Sequence, residues 1–130
     1  MEDYLSKLNP KQLEAVETNE GAVRVLAGAG TGKTRALTSR FCYLTDTLGV
    51  APKNILCVTF TNRAANEMKQ RIRAALGDMD LGYICTFHAF CVQLLKEDIH
   101  VLNFPKNFII LDVEDQKQLL LKIFEEMKLT

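Results

Sequence analysis

The stretch that decides the fold is Ala27-Gly28-Ala29-Gly30-Thr31-Gly32-Lys33-Thr34. It follows a short apolar run, residues 23–26, and precedes an amphipathic segment, so we expect a strand, a glycine-rich turn and a helix in that order. Glycines let the backbone curl until successive N–H groups point at one anion, and the helix N-terminus adds its own free N–H groups. This layout is typical of a phosphate-binding P-loop, although Ala27 stands where the general pattern has glycine.

Two polar side chains at the end of this stretch carry the chemistry expected of a nucleotide site. Lys33 is a mobile point charge that can reach the β- and γ-phosphates. The Thr34 hydroxyl is placed to ligate Mg²⁺. We therefore predict that residues 27–34 form a nucleotide-binding site in which Lys33 and Thr34 are the catalytic residues. A P-loop alone does not say which nucleotide is bound or what work follows.

The composition excludes some classes of protein and leaves others open. The chain has 130 residues, of which 48% are hydrophobic and 25% charged, enough for one globular domain with a core. Lys plus Arg and Asp plus Glu both number 16, so any nucleic-acid site must be local and is not a consequence of bulk charge. No apolar run approaches the ~20 residues of a membrane span, and the N-terminus lacks a signal-peptide core.

The cysteine spacing favours a reducing compartment. The four cysteines are Cys42, Cys57, Cys85 and Cys91, and no two of them form a Cys-x-x-Cys pair. We expect buried, reduced thiols in a cytoplasmic protein and no metal ligation.

The hydrophobic pattern alternates between strand and helix periods. Helices are predicted over residues 10–18, from the P-loop to before Gly49, over 62–76, over 87–97, and after a cap at Asp112. Strands are predicted over residues 23–27, 55–60, 83–86 and 108–111, and the apolar run 55–60 is typical of a strand covered on both faces. Strands that alternate with helices in this way indicate an α/β fold with a parallel sheet.

Further motifs flank the P-loop and narrow its interpretation. They are Leu8-Asn9-Pro10-Lys11-Gln12, the P-loop extended by Leu26 and Arg35, the segment from Val58 to Met68, Thr86-Phe87-His88, and the segment from Ile109 to Gln116. In order and spacing this series resembles the N-terminal part of superfamily 1 DNA helicases of the UvrD/Rep/PcrA type. The resemblance runs from about Leu8 to the C-terminus.

The resemblance implies a fold and an activity. The fold would be that of a P-loop NTPase of the RecA-like type, an incomplete parallel sheet flanked by helices. Residues 1–100 would be the N-terminal part of the first motor domain, and residues 101–130 the connection into an inserted helical subdomain. The whole protein would bind single-stranded DNA and junctions between single- and double-stranded DNA. It would use ATP and Mg²⁺ to translocate along the single strand and to unwind duplexes. In this family the acidic Mg²⁺ motif, the arginine motifs and the second motor domain lie further along the chain, so we expect an excised piece of a longer protein.

Two residues outside the P-loop are assigned to the nucleotide through the resemblance. The family's upstream glutamine reads the adenine edge, and Gln12 occupies that position. Without the resemblance, the favoured role of Gln12 is that of a capping residue at the third position of a helix that begins after Asn9. Arg35 matches the family arginine that lies against the adenine ring, whereas its simple alternative is a solvated helix arginine.

Five residues are assigned to DNA in the same way. Phe60 would stack on a base of single-stranded DNA, with core packing as its alternative. Thr61 and Asn62 would bind phosphate or sugar while capping the next helix, and Thr86 and His88 match the family's next DNA-contacting motif. A structural histidine is the alternative for His88.

Two other classes of protein remain open on the sequence. A self-contained small P-loop NTPase or kinase would use Asp112, which ends an apolar run, to hold Mg²⁺, although Asp112 is also an ordinary helix cap. A non-catalytic DNA-binding module would keep only the contact motifs.

Overall fold

The computed structural model describes residues 4–129, and the chain divides into two units between Cys91 and Val92. The first unit contains helix α1 (Pro10–Glu17), helix α2 (Lys33–Cys42), a π-helical turn (Tyr43–Thr47), a 3-10 turn (Pro52–Asn54), strand β1 (Leu56–Thr59), helix α3 (Asn62–Leu76) and strand β2 (Tyr83–Thr86). Helix α4 (Phe87–Asp98) crosses the division, and the second unit continues with a 3-10 turn (Ile99–Leu102) and helix α5 (Val113–Glu126).

Strands β1 and β2 form a two-stranded parallel sheet, with α3 as the crossover between them. Leu56 pairs with Tyr83 and Thr59 pairs with Thr86, so both strands end at the same edge of the sheet. The predicted α/β architecture with parallel pairing is therefore confirmed at this scale. The expectation that the strand within residues 55–60 is covered on both faces is wrong. In β1, Leu56 is 48% exposed while the next side chain, Cys57, is buried.

Helix α3 supplies the main wall of the core. Thr61 caps its N-terminus by accepting a hydrogen bond from the Ala64 N–H, and Gly77 ends it with a φ of +90°. Its apolar positions recur at helical spacing and are buried against the sheet and α2. The core cluster is Phe41, Cys42, Cys57, Met68, Ile72, Ala75, Leu81 and Ile84.

The predicted strands over residues 23–27 and 108–111 are not strands in the structure. The side chains of the first run are exposed, with Leu26 at 81%, and Ile109 in the second run is 84% exposed. A strand needs a neighbour to take up its backbone hydrogen bonds. Within residues 4–129 the two observed strands pair only with each other, so the apolar runs have no ladder to join.

Helix α5 of the second unit begins where Asp112 was expected to cap it. The Asp112 carboxylate accepts from the Asp115 N–H, and the Asp115 carboxylate accepts from the Asp112 N–H. The apolar residues that recur along this helix and its C-cap, Leu119, Leu120, Ile123, Phe124 and Met127, are all exposed. No helix between residues 4 and 129 combines the length and apolar character that a membrane span requires.

The four thiols are free, but they are not equally buried. Burial raises the pKa of the Cys42 thiol to about 11 and also raises the pKa of Cys57, whose Sγ contacts the Met68 Sδ at 3.4 Å. Cys85 is half-buried and Cys91 is exposed, so the expectation of buried thiols holds for only two of the four.

Replacing Ile72 by alanine should lower the free energy of unfolding by about 2–5 kcal/mol, because its fully buried side chain leaves a cavity at the centre of α3. Urea denaturation followed by circular dichroism measures the change. Gln70→Ala on the exposed face of the same helix is the control and should stay within about 0.5 kcal/mol of the parent chain. Equal losses in the two variants would contradict the assigned core.

Thiol labelling with a disulfide reagent at pH 8 should modify Cys91 first, because its side chain is exposed. Cys42 and Cys57 should react only as fast as the chain unfolds, since burial both shields them and raises the pKa of each thiol. The Cys91→Ser variant should lose the fast phase. Rapid labelling of Cys42 in the folded chain would show that the core is open.

Candidate nucleotide-binding site

The P-loop runs from residue 27 into the start of α2, and two of its glycines adopt the left-handed conformation. Gly30 has φ +72° and Gly32, which immediately precedes α2, has φ +84°. The Thr31 hydroxyl donates to the Gly28 carbonyl oxygen at 2.8 Å and closes the loop on itself. The sequence therefore places the glycines where the backbone needs them.

The Lys33 ammonium folds back over the loop. It donates to the carbonyl oxygens of Ala27 at 3.2 Å and of Gly28 at 2.5 Å. These two carbonyl oxygens keep the ammonium group against the loop, where it could also contact a bound anion. Thr34 and Arg35, the next two residues of α2, are exposed.

Gln12 joins helix α1 to the P-loop. Its Oε1 accepts from the Asn9 N–H at 3.0 Å, while the Asn9 side chain accepts from the Gln12 N–H at 2.9 Å, so the two residues form a capping box. Its Nε2 donates to the Thr31 carbonyl oxygen at 2.9 Å. The capping interpretation of Gln12 is therefore correct, and the same amide also contacts the loop.

Both structural bonds leave half of the Gln12 amide free to recognise a ligand. A primary amide has two N–H donors and two acceptor lone pairs, and each structural bond uses one of them. One donor and one acceptor remain, the complement of adenine N7 and N6–H₂. Capping and base reading are thus compatible at this residue.

A cavity of about 300 Å³ brings these groups together. Its lining includes Gln12, Ala27, Gly28, Gly32 and Lys33. A second cavity of about 310 Å³ borders the same loop and is lined by Gly30, Gly32, Lys33, Thr34, Arg35 and Arg71. Every nucleotide-site residue predicted from the sequence except Ala29 therefore lines one of two cavities around the loop.

The DNA candidates gather at the carboxyl edge of the sheet. Because Thr59 and Thr86 are paired across the strands, the next residues, Phe60 and Phe87, lie side by side with ring centroids 5.6 Å apart. Phe60 is 91% exposed, so the core-packing alternative for it is wrong. Phe87 was not assigned from the sequence, and the register of the two strands is the signal that identifies it.

The polar side chains proposed to contact DNA differ in their exposure and in their hydrogen bonds. Asn62 and His88 are exposed on the first turns of α3 and α4. The Thr61 hydroxyl accepts the Ala64 N–H but stays exposed. Thr86 is only 7% exposed, and its hydroxyl accepts from the Ala89 N–H at 3.2 Å, so its geometry is that of a cap for α4.

Within the part of the chain that the structure describes, no acidic side chain lines either of the two cavities that border the loop. Among residues 4–129, no three His, Cys, Asp or Glu side chains lie close enough together to hold a metal ion. The Asp112 carboxylate, the alternative Mg²⁺ ligand, instead forms the α5 capping box.

Gly32→Ala should destabilise the chain more than Gly21→Ala, although both glycines have positive φ. A Cβ at Gly32 would lie 2.6 Å from the Gln12 Nε2, whereas a Cβ at Gly21 meets nothing within 4 Å. We expect a loss of about 1 kcal/mol at Gly21 from backbone strain alone and a larger loss at Gly32. Urea unfolding of both variants measures the difference, and equal losses would argue against the Gln12 contact with the loop.

Comparison with known proteins identifies the family of the chain. The family model described as the UvrD/REP helicase N-terminal domain matches residues 8–130. ATP-dependent DNA helicase PcrA of Bacillus subtilis (strain 168) is 49% identical over 126 residues, 96% of this chain and 17% of that protein. PcrA of Staphylococcus aureus (strain Mu50) is 45% identical over 121 residues, 92% of this chain and 17% of that protein. The chain therefore spans 17% of the length of these relatives. With nearly all of its residues matched, the chain belongs to the UvrD/REP helicase N-terminal domain family.

Proposed function

We propose that this chain is the ATP-binding N-terminal portion of a DNA helicase that couples ATP hydrolysis to movement along single-stranded DNA and to duplex unwinding. The observation that carries the proposal is the position of the Gln12 amide, which contacts the P-loop and lines one cavity with Lys33. The relatives, each named an ATP-dependent DNA helicase, support the same assignment.

The nucleotide would occupy the two cavities that border the loop. Lys33 would exchange the Ala27 and Gly28 carbonyls for the β- and γ-phosphates, and the backbone of residues 27–32 would surround the phosphates. Gln12 would bind the adenine edge and Arg35 would lie against the ring. The exposed Thr34 hydroxyl would give Mg²⁺ one oxygen ligand, and phosphate oxygens and water would complete the coordination.

Single-stranded DNA would bind at the carboxyl edge of the sheet. The exposed Phe60 ring and its neighbour Phe87 form a two-ring surface on which bases can stack without sequence preference. Thr61, Asn62 and His88 would bind the sugar–phosphate backbone beside it. Thr86 would act indirectly, because its buried hydroxyl orients the first turn of α4.

The remainder of the helicase would complete the fold. The exposed run 23–27 has the composition of a buried parallel strand, and we propose that strands from later in the chain pair with it to build the RecA-like sheet. Residues 1–100 would then belong to the first motor domain and residues 101–130 would lead into the helical subdomain. Hydrolysis needs an acidic Mg²⁺ ligand and γ-phosphate arginines from that remainder, so this chain alone should bind nucleotide weakly and unwind nothing. Its free thiols suit a cytoplasmic location.

A standalone kinase is not favoured. Its Mg²⁺ ligand would have to be Asp112, and that carboxylate is engaged by the Asp115 N–H at 2.8 Å. A pure DNA-binding module would have no use for the lysine and glutamine that line one cavity beside the P-loop.

Lys33→Ala should abolish detectable binding of a fluorescent ATP analogue, since it removes the ammonium group expected at the β- and γ-phosphates. Gln12→Ala should keep binding but lower the preference for ATP over GTP by about 5- to 10-fold, the value of one or two hydrogen bonds. Fluorescence titration with Mg²⁺ present measures both. Unchanged ATP binding by Lys33→Ala would overturn the proposed nucleotide site.

Phe60→Ala and Phe87→Ala should each weaken binding of oligo(dT) by about 5-fold or more, because base–aromatic stacking contributes about 1–3 kcal/mol per base. Fluorescence anisotropy at low salt is the measurement. Phe104→Ala, which removes an aromatic ring that is 62% exposed in the second unit, is the matched control and should bind like the parent chain. Equal effects from all three variants would contradict the proposed stacking surface.

A further inference from the structure

Arg40 of the P-loop helix holds the far end of α1. Its Nη1 donates to the carbonyl oxygens of Ala15 at 2.7 Å, Val16 at 3.3 Å and Thr18 at 2.6 Å. These carbonyls belong to the last turn and C-cap of α1, where the final backbone acceptors lack helical partners and the helix dipole is negative. One guanidinium therefore satisfies and neutralises the C-terminal end of the helix that carries Gln12.

Helix α1 has little else to hold it in place. It is eight residues long, and Val16 is its only buried residue. Small side chains face each other between α1 and α2, where Ala15 and Ala36 line a cavity of about 220 Å³ together with Arg40. With such thin apolar packing, the position of α1 depends on its polar contacts with the P-loop and with α2.

Two of these contacts lie at opposite ends of α1. Gln12 is bonded to Thr31 of the P-loop near the N-terminus, and Arg40 is bonded to carbonyls of the C-terminal end, about 5–9 Å further along the helix axis. Both partners are continuous in the chain with α2, so α1 is fixed relative to the loop in position and in rotation. Loss of the Arg40 contacts would leave the Gln12 bond and the buried Val16 side chain to hold α1.

We infer that Arg40 is a positioning residue for base selection, acting through α1 to hold the Gln12 amide in one orientation over the nucleotide. This inference rests on the proposed function. With Oε1 bound to the Asn9 N–H and Nε2 bound to the Thr31 carbonyl oxygen, the amide cannot turn over. Its free acceptor faces the N6–H₂ donor of adenine favourably, but it would face the O6 acceptor of guanine at a cost. An amide that is no longer held in place could rotate and accept either base.

The test is the ratio of dissociation constants for fluorescent GTP and ATP analogues, measured on the parent chain and on Arg40→Ala, with tripolyphosphate as a competitor that has no base. We expect Arg40→Ala to lower the ATP preference about 5- to 10-fold while tripolyphosphate affinity stays unchanged. Arg40→Lys keeps the charge but reaches fewer carbonyls, so its ATP preference should lie between those of the parent chain and Arg40→Ala. Arg73→Ala, at a paired surface arginine of α3, should behave like the parent.

Three other outcomes would overturn the inference about Arg40. If Arg40→Ala weakens ATP, GTP and tripolyphosphate equally, or changes none of them, Arg40 has only a structural role and the inference is overturned. If Arg40→Ala does not fold, Arg40→Lys carries the test, and an unchanged ratio in that variant overturns the inference. If the parent chain binds no nucleotide, or Lys33→Ala binds as well as the parent, the proposed function fails and the inference fails with it.

Discussion

The hydrogen bond from the Gln12 Nε2 to the Thr31 carbonyl oxygen, 2.9 Å long, is the contact on which the nucleotide site depends. A glycine-rich loop is conformationally permissive, and α1 buries a single side chain, so neither would define the site alone. The bond joins them and leaves the amide with one donor and one acceptor. Glycine suits position 32 on two counts: its φ is +84°, and a Cβ there would lie 2.6 Å from that nitrogen and push it off the loop.

The proposed DNA surface depends on a different constraint, the parallel register of β1 and β2. Since Thr59 pairs with Thr86, both strands end together and present Phe60 and Phe87 as neighbours. Helix α3 begins two residues after Phe60 and α4 begins immediately after Thr86, so the polar candidates lie at helix starts on the same edge. Helix α3 also carries Arg71, which lines a cavity with Thr34 and Arg35. One helix thus borders the proposed nucleotide site and begins at the proposed DNA surface.

Local signals in the sequence predicted the elements that are stabilised locally. The Asn9 cap with Pro10, the Thr61 cap with Gly77, and the Asp112 cap each mark a helix boundary within about one residue, because capping is decided by neighbouring side chains. The run 23–27 has the composition of a strand but is exposed, since strand pairing needs a partner that local sequence does not specify. Phe87 and Arg40 were not identified because their roles depend on strand register and on contacts 22 to 25 residues away in the chain.

The most direct measurement is a crystal structure of this chain with an ATP analogue and Mg²⁺. The account predicts that the Gln12 Nε2 remains within hydrogen-bonding distance of the Thr31 carbonyl oxygen while the free half of the amide meets adenine N7 and N6. It also predicts that the Lys33 ammonium leaves the Ala27 and Gly28 carbonyls for the phosphates. An adenine bound away from Gln12, or a Gln12 side chain that swings off the loop to reach it, would contradict the central claim that one amide both builds the site and reads the base.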